Sequence, residues 1–223
     1  SQRVYDFYFK GKKPLKNQLK EIFAPVDTNE FNPDRKFSVP DYIDEKKIIV
    51  TTVASIVPVK GLEYFIEAAE KIHIKNPNTS FLIAGPEISS QKEYSKKIKK
   101  MLFDKEYISY IGMCNNIPQL LANSNLFICS SVTEAGPITI YEAMSMKLPV
   151  VTTDVGASRQ IIENFKNGVI VPAKNSLELY IASDKILNDN LLSKNISNAA
   201  FMSSKNLFSV DMITKRYIEF YIS

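Results

Sequence analysis

Two carboxylates with seven residues between them, Glu134 and Glu142, bracket the stretch "EAGPITIYE". Around Glu142 the residues Ile138, Ile140, Tyr141, Ala143, Met144 and Met146 point in nearly every direction at 100° per residue, so a helix here leaves no face for water. A carboxylate is rarely buried without a partner, because desolvating its charge is costly. The backbone N–H groups around Gly136, Ile138 and Thr139 open this helix, and Pro137 suits its first position because it has no N–H to leave unpaired. A helix N-terminus with free N–H groups is an anion site. The stretch "SIVPVK", Ser55 to Lys60, is expected to close the first strand, and Lys60 on that strand end can supply a countercharge. Glutamates beside an anion site make sense if they accept hydrogen bonds from neutral hydroxyls. Ribose and sugar hydroxyls are the obvious donors, so the set fits a diphosphate flanked by two polyols, a nucleotide-sugar. The competing reading keeps Glu142 as a core carboxylate bonded within the protein and Glu134 as a helix-start charge.

Other chemistries are poorly supplied. His73 is the sole histidine, which excludes a multi-histidine metal site and leaves one candidate base for a Ser-His-Asp triad. Its place near the end of a helical stretch suggests that it caps carbonyls. Asp-x-Asp is missing, so no metal held by that pair is expected, and neither common glycine-rich phosphate loop occurs. Cys114 and Cys129 lack metal-like spacing and read as reduced thiols of a cytoplasmic protein. The balance of 28 basic against 24 acidic residues suits anionic ligands without calling for nucleic acid. No apolar run reaches the roughly 18–20 residues of a membrane span.

From Lys47 onward, short β-branched runs alternate with helical stretches. The runs "KIIVTTVAS", "SFLIAG", "YISYIG", "LFICSS", "PVVTTDV" and "GVIVPA" read as strands. Helices are expected over "KGLEYFIEAAEKIHIKN", "SSQKEYSKKIKKMLFD", "NIPQLLANS", the stretch after Pro137, "ASRQIIENFKN" and "SLELYIASDKILND", with more to the C-terminus. The alternation implies an α/β fold, a Rossmann-like parallel sheet with helices on both faces, which binds ligands at the carboxyl ends of its strands. Gly61, Gly85, Gly112, Gly136 and Gly156 all fall at that edge. The lysine-rich stretch 91–105 reads as a solvated helix face. Residues 1–20 suggest a helix and a basic loop, and "EIFAPVDTNEFNPD" one short strand followed by turns.

The sequence resembles the C-terminal, donor-binding domain of GT-B retaining glycosyltransferases, the large family four, over about Phe23 to the C-terminus. The match rests on "APVDTNEFNP", "ASIVPVKGLEYFIEAAEKI", "FLIAGP", "YIGMCNNIPQLLANSNLFICSS", "NGVIVP" and above all "EAGPITIYEAM" followed by "KLPVV". The resemblance implies one half of a GT-B architecture, with residues 1–40 as tail and linker of a missing N-terminal domain. Residues 41–208 would be the nucleotide-sugar-binding domain, and 209–223 a helix packing back toward that missing half. It implies that Glu142 holds the ribose hydroxyls and Glu134 faces the donor sugar near the reacting carbon. Lys60 would bind the diphosphate and stabilise the departing nucleotide, and the backbone of Gly112, Met113 and Cys114 would line the base. The donor would be a UDP-sugar or GDP-sugar, used without cofactor or metal. The acceptor, a glycan or lipid-linked sugar, would bind through the N-terminal half, with the full-length enzyme in the cytoplasm or against the cytoplasmic face of a membrane. Two departures stand out: Ser55 replaces an arginine phosphate ligand of many relatives, and His73 matches nothing catalytic. A non-catalytic nucleotide-sugar-binding or interaction module is the alternative. A nicotinamide oxidoreductase would lack its glycine fingerprint.

Overall fold

A computed structural model describes residues 22–222. The helix and basic loop expected in residues 1–20 lie outside them. Strands β1 (Ile48–Val53), β2 (Thr79–Ala84), β3 (Ile108–Gly112), β4 (Leu126–Cys129), β5 (Val150–Thr153) and β6 (Val169–Val171) form one sheet in the order β3-β2-β1-β4-β5-β6. Every neighbouring pair is parallel. Between the strands lie helices α1 (Leu62–Lys75), α2 (Lys92–Leu102), α3 (Ile117–Ala122), α4 (Ile138–Ser145) and α5 (Ser158–Ile161). After β6 come α6 (Ser176–Asn188), α7 (Asn190–Leu207) and α8 (Val210–Ile222).

The β-branched runs become strands because both faces of the sheet are covered, and alternate side chains enter opposite cores. Leu126 and Ile128 of β4 join Val50, Phe65, Phe81 and Leu179 on one side. Phe127 and Cys129 join Ile140, Tyr141, Met144 and Val150 on the other. The chain builds β1, β2 and β3 outward to one edge, then returns to lay β4 beside β1. That reversal leaves a crevice above the carboxyl ends of β1 and β4, where open α/β sheets receive ligands.

Several local expectations are corrected. The strand expected near residues 21–26 is a single bridge: Val26 pairs with Ser209, and its N–H donates to the Phe208 carbonyl at 2.8 Å. Within the stretch assigned to a tail and linker, residues 22–40 carry part of this domain's own core. Val26 and Phe31 are buried with Tyr141 and Phe208, and Tyr141 stacks on Phe208 at 4.0 Å. The helix expected over 157–167 stops at Ile161. Asn167 Oδ1 takes the Glu163 N–H at 2.7 Å, and Asn164 Oδ1 takes that of Ile170 at 3.0 Å, so side-chain acceptors replace helical carbonyls. On α8 only Ile213 is buried, while Tyr217, Ile218, Tyr221 and Ile222 are exposed. Lysines 92, 96, 97, 99 and 100 on α2 face solvent, as expected of a polar face.

Candidate active site

Lys60 does not end a strand. It closes a 3-10 turn, Pro58–Lys60, between β1 and α1. The next residue, Gly61, holds φ at 58°, and a Cβ there would stand 2.4 Å from the Ser130 carbonyl oxygen, so only glycine fits. The loop after β4 is laced to this turn. Val132 N–H donates to the Val59 carbonyl at 2.8 Å, and Ser130 Oγ donates to the Lys60 carbonyl at 3.1 Å. Because β1 and β4 are neighbours, two segments 70 residues apart are locked together at the crevice.

This lacing brings Lys60 Nζ to Glu134 Oε1 at 2.5 Å. The same oxygen accepts Ser131 Oγ at 2.8 Å. Glu134 is thus paired through Oε1, with a side chain only 14% exposed, and among the described residues Oε2 has no hydrogen bond or ion pair. The loop is buttressed from behind by Thr153 Oγ1, which donates to the Ser131 carbonyl at 2.5 Å. Gly156 follows with φ 54°, where a Cβ would lie 2.7 Å from the Glu134 carbonyl oxygen.

Helix α4 begins three residues after this loop. Pro137 is its N-cap rather than its first helical residue, and Ile138, the first helical residue, is exposed. One face at that end does meet water. Ile140 N–H is taken by the Pro137 carbonyl at 3.0 Å. The amides of Gly136, Ile138 and Thr139 make no such turn bond with described residues, the usual state of a first helical turn. Two features here favour an anion: these amides at the positive end of α4, and the ammonium of Lys60, which is paired with Glu134 two residues before Gly136.

Glu142 lies four residues into α4, about 6 Å along its axis from Ile138. Its carbonyl accepts the Met146 N–H at 3.0 Å, but among the described residues its side chain makes no hydrogen bond or ion pair. Burial, and secondarily the charge of Glu30, push its carboxyl up to about 7. The competing reading, a carboxylate bonded within the core, finds no side-chain partner for Glu142 among the described residues.

Gly112 ends β3, and Met113 and Cys114, which follow it, border a cavity of about 230 Å³ with Tyr42, Ile111, Asn115, Asn116 and Gln119. Met113 is 73% exposed. Burial and the adjacent Cys114 push the Tyr42 hydroxyl up to about 12. Ser55 sits half-buried just past the end of β1. His73 is remote from this edge, and it does not cap its own helix. Its Nδ1 meets the Thr79 carbonyl at 3.2 Å, at the amino end of β2, and its ring stacks on Tyr107 at 3.9 Å. Among the described residues no cluster of three or more His, Cys, Asp or Glu could hold a metal, and no helix is long and apolar enough to cross a membrane.

Ser131, Thr153, Tyr42 and Glu30 escaped the sequence reading. Serine and threonine at strand ends carry no pattern of their own. Glu30 lies in the stretch 1–40 assigned to a tail and linker, and Tyr42 stands just after it, ahead of the first strand.

The site can be compared with known proteins. The profile of the family described as "Glycosyl transferases group 1" matches residues 34–202. The chain is 27% identical over 190 residues to the Escherichia coli UDP-Gal:alpha-D-GlcNAc-diphosphoundecaprenol alpha-1,3-galactosyltransferase, covering 81% of this chain and 48% of that protein. It is 29% identical over 159 residues to the alpha-D-kanosaminyltransferase of Streptomyces kanamyceticus, covering 71% and 41%. Its fold is similar to that of a glycosyltransferase from Rickettsia africae ESF-5, with TM-score 0.87, 24% identity, and coverage of 99% of this chain and 61% of that one. It is likewise similar to Anabaena Alr3699/HepE in complex with UDP-glucose, with TM-score 0.83, 21% identity, and coverage of 96% and 60%. The chain spans about half the length of the curated relatives it matches. The matched span takes in Lys60, Glu134 and Glu142 and more than half of the 223 residues, and the chain belongs to the glycosyl transferases group 1 family.

Proposed function

We propose that this chain is the donor-binding part of a retaining, GT-B glycosyltransferase that moves a hexosyl unit from a nucleotide-sugar to a glycan or lipid-linked acceptor. The observation that carries the reading is the Lys60–Glu134 pair, at the β1–β4 crevice and opposite the N-terminus of α4, with Glu142 left unpartnered behind it. The donor is a UDP-sugar or GDP-sugar. The uridine nucleotides in the names of a relative and a structural neighbour favour UDP.

In this reading the diphosphate docks against the amides of Gly136, Ile138 and Thr139 and draws the Lys60 ammonium partly away from Glu134, with Ser55 beside it. Glu142 accepts the ribose hydroxyls, the loop Gly112–Cys114 receives the base, and Glu134 Oε2 accepts a hydroxyl of the donor sugar. As the bond from the anomeric carbon to the phosphate oxygen breaks, the electron pair leaves with the phosphate. Lys60 and the fixed amide dipoles meet the charge where it grows, without reorganising. They do so without a cofactor or metal. The acceptor hydroxyl attacks the face that the phosphate leaves and passes its proton to the departing phosphate oxygen, so the configuration is retained. That hydroxyl is held by the part of the enzyme outside this chain, in the cytoplasm or against its membrane face.

Calorimetry with UDP, GDP and NAD tests the class: tightest binding of a nucleoside diphosphate supports it, and preference for NAD or no binding overturns it. Two further results are expected. The purified 223-residue chain, given radiolabelled donor and varied acceptors, is expected to show no transfer, and turnover on the order of 1 per second would mean that the acceptor site is present after all. Cys129 is buried and Cys114 is not, so iodoacetamide is expected to label Cys114 selectively and UDP to slow that labelling. Unchanged labelling at saturating UDP would move the base away from the β3 loop.

A further inference from the structure

Helix α1 opens two residues after Lys60, and its N-cap residue offers it no side-chain acceptor, because that residue is Gly61. The acceptor comes from another helix. Tyr94 of α2 takes the Leu62 N–H on its hydroxyl oxygen at 3.1 Å, across 32 residues of sequence. The phenol has one proton to give, and it donates that proton to Glu63 Oε2. The other oxygen of this carboxylate accepts Lys97 Nζ at 3.0 Å. A hydroxyl that donates to a carboxylate is itself a better acceptor, so Glu63 and Lys97 strengthen the grip of Tyr94 on Leu62. The set is held from below: the Glu63 side chain is only 16% exposed, and Tyr94 packs against the core cluster that contains Leu62 and Phe65. Helix α2 thus turns its lysines to water and one tyrosine toward the start of α1.

We infer that Tyr94 is a positioning residue for the diphosphate, acting through the Lys60–Gly61–Leu62 segment to aim the Lys60 ammonium. The inference rests on the reading of Lys60 as the cation that meets the diphosphate. The two peptide groups that flank Gly61 are each held by one side chain. On the β4 side Ser130 Oγ donates to the Lys60 carbonyl at 3.1 Å, and on the α2 side Tyr94 accepts the Leu62 N–H at 3.1 Å. Between them stands a glycine with φ 58°, the residue type whose backbone turns most freely. The turn bonds of Lys60 N–H to the Val57 carbonyl and of Gly61 N–H to that of Pro58 lie on the Ser130 side of this swivel. Tyr94 is the side-chain tie on the other side. With it cut, the join of the Lys60 turn to α1 can rotate about Gly61, and the ammonium loses its fixed direction at the crevice. A charge that must meet a phosphate within hydrogen-bond reach is worth most when it is already in place. The hydrogen bonds of Tyr94 go to Leu62 and Glu63, so it acts on the ligand only through the backbone.

The probes are UDP and uridine, titrated by calorimetry into the 223-residue chain. Tyr94→Phe keeps the ring and its packing and removes only the oxygen that holds Leu62. UDP is expected to bind roughly three- to tenfold more weakly to this variant, a part of the loss expected from removing a charge-assisted bond altogether. Uridine, which has no phosphate, should bind as to the unmodified chain. Glu63→Gln, which leaves Tyr94 in place with a weaker partner, should shift UDP binding in the same direction by a smaller factor. The deciding measurement is a double-mutant cycle. In a Lys60→Ala background, Tyr94→Phe should change UDP affinity by less than about twofold, because the cation it aims is gone. A purely structural role predicts otherwise: both variants melt earlier, while UDP and uridine are weakened alike or not at all. That result overturns the inference and leaves the nucleotide reading standing, as does an equal loss of UDP affinity from Tyr94→Phe with and without Lys60. UDP binding indifferent to Lys60→Ala overturns the inference together with the role of the lysine, and no UDP binding by the unmodified chain overturns the nucleotide reading as well.

Discussion

Glu142→Gln is expected to weaken UDP binding roughly 10- to 100-fold and, at pH 8, to raise the melting temperature of the ligand-free chain. The two effects have one origin, a carboxylate with no partner among the described residues in a half-buried place. Its pKa is raised from 4.5 to about 7, so the folded chain holds this proton more tightly than the unfolded chain does. The stability that this proton carries is fully present below the unfolded value and is lost as pH rises through about 7. At pH 8 the folded chain bears an uncompensated charge that glutamine removes, and ~1 kcal/mol is worth about 2–4 °C in a chain of this size. The advantage should shrink as pH falls from 8 and vanish below about 4.5, where glutamate is protonated in both states. For binding the sign reverses, because a hydrogen bond to a charged group is worth about 1.5–3 kcal/mol and glutamine offers one weaker acceptor and a donor. Differential scanning calorimetry across pH, paired with UDP titration at pH 8, measures both. A variant that melts lower than the parent at pH 8 and binds UDP equally would put Glu142 in the structural core and remove it from the site.

The sheet was legible because each strand is a short β-branched or aromatic run closed by a glycine, proline or serine, and buried parallel strands need just that composition. The order of the strands was not, since nothing in "LFICSS" says that it returns to lie beside "KIIVTTV". Helix lengths failed where side chains competed with the backbone: "ASRQIIENFKN" has helical spacing, but Asn164 and Asn167 turn their amides onto main-chain groups and end the helix after one turn. In the site, Lys60, Glu134 and Glu142 could be singled out because charges in apolar stretches are costly and therefore conspicuous. Their relation could not. The pairing of Lys60 with Glu134 depends on the β1–β4 adjacency and on Gly61 letting Ser130 approach. Glu30 lies in an ordinary-looking polar turn, and only the tertiary packing of Phe31 brings that turn against α4.

The Lys60–Glu134 pair makes the sharpest pair of substitutions, because they should move binding in opposite directions. Lys60→Ala removes the one cation that the crevice offers, among the described residues at this pair, to a diphosphate. UDP affinity is expected to fall roughly 10- to 100-fold, the worth of a charge-assisted hydrogen bond, while uridine, which has no phosphate, binds as before. Glu134→Gln frees the same ammonium from the carboxylate that now holds it at 2.5 Å. UDP should then bind as tightly as to the unmodified chain or tighter, although the preference for UDP-sugar over UDP should drop because a charged acceptor for the sugar hydroxyl is gone. Lys60→Ala alone also strands a carboxylate whose side chain is only 14% exposed, and that carries a folding cost of its own. The double variant separates the two effects: it should recover thermal stability relative to Lys60→Ala while still binding UDP poorly. A bond that is purely structural predicts the reverse, with both single variants destabilised alike and UDP binding indifferent to either. Loss of UDP binding in Glu134→Gln equal to that in Lys60→Ala would mean that Glu134 positions the lysine for the phosphate, and the sugar would have to be held elsewhere.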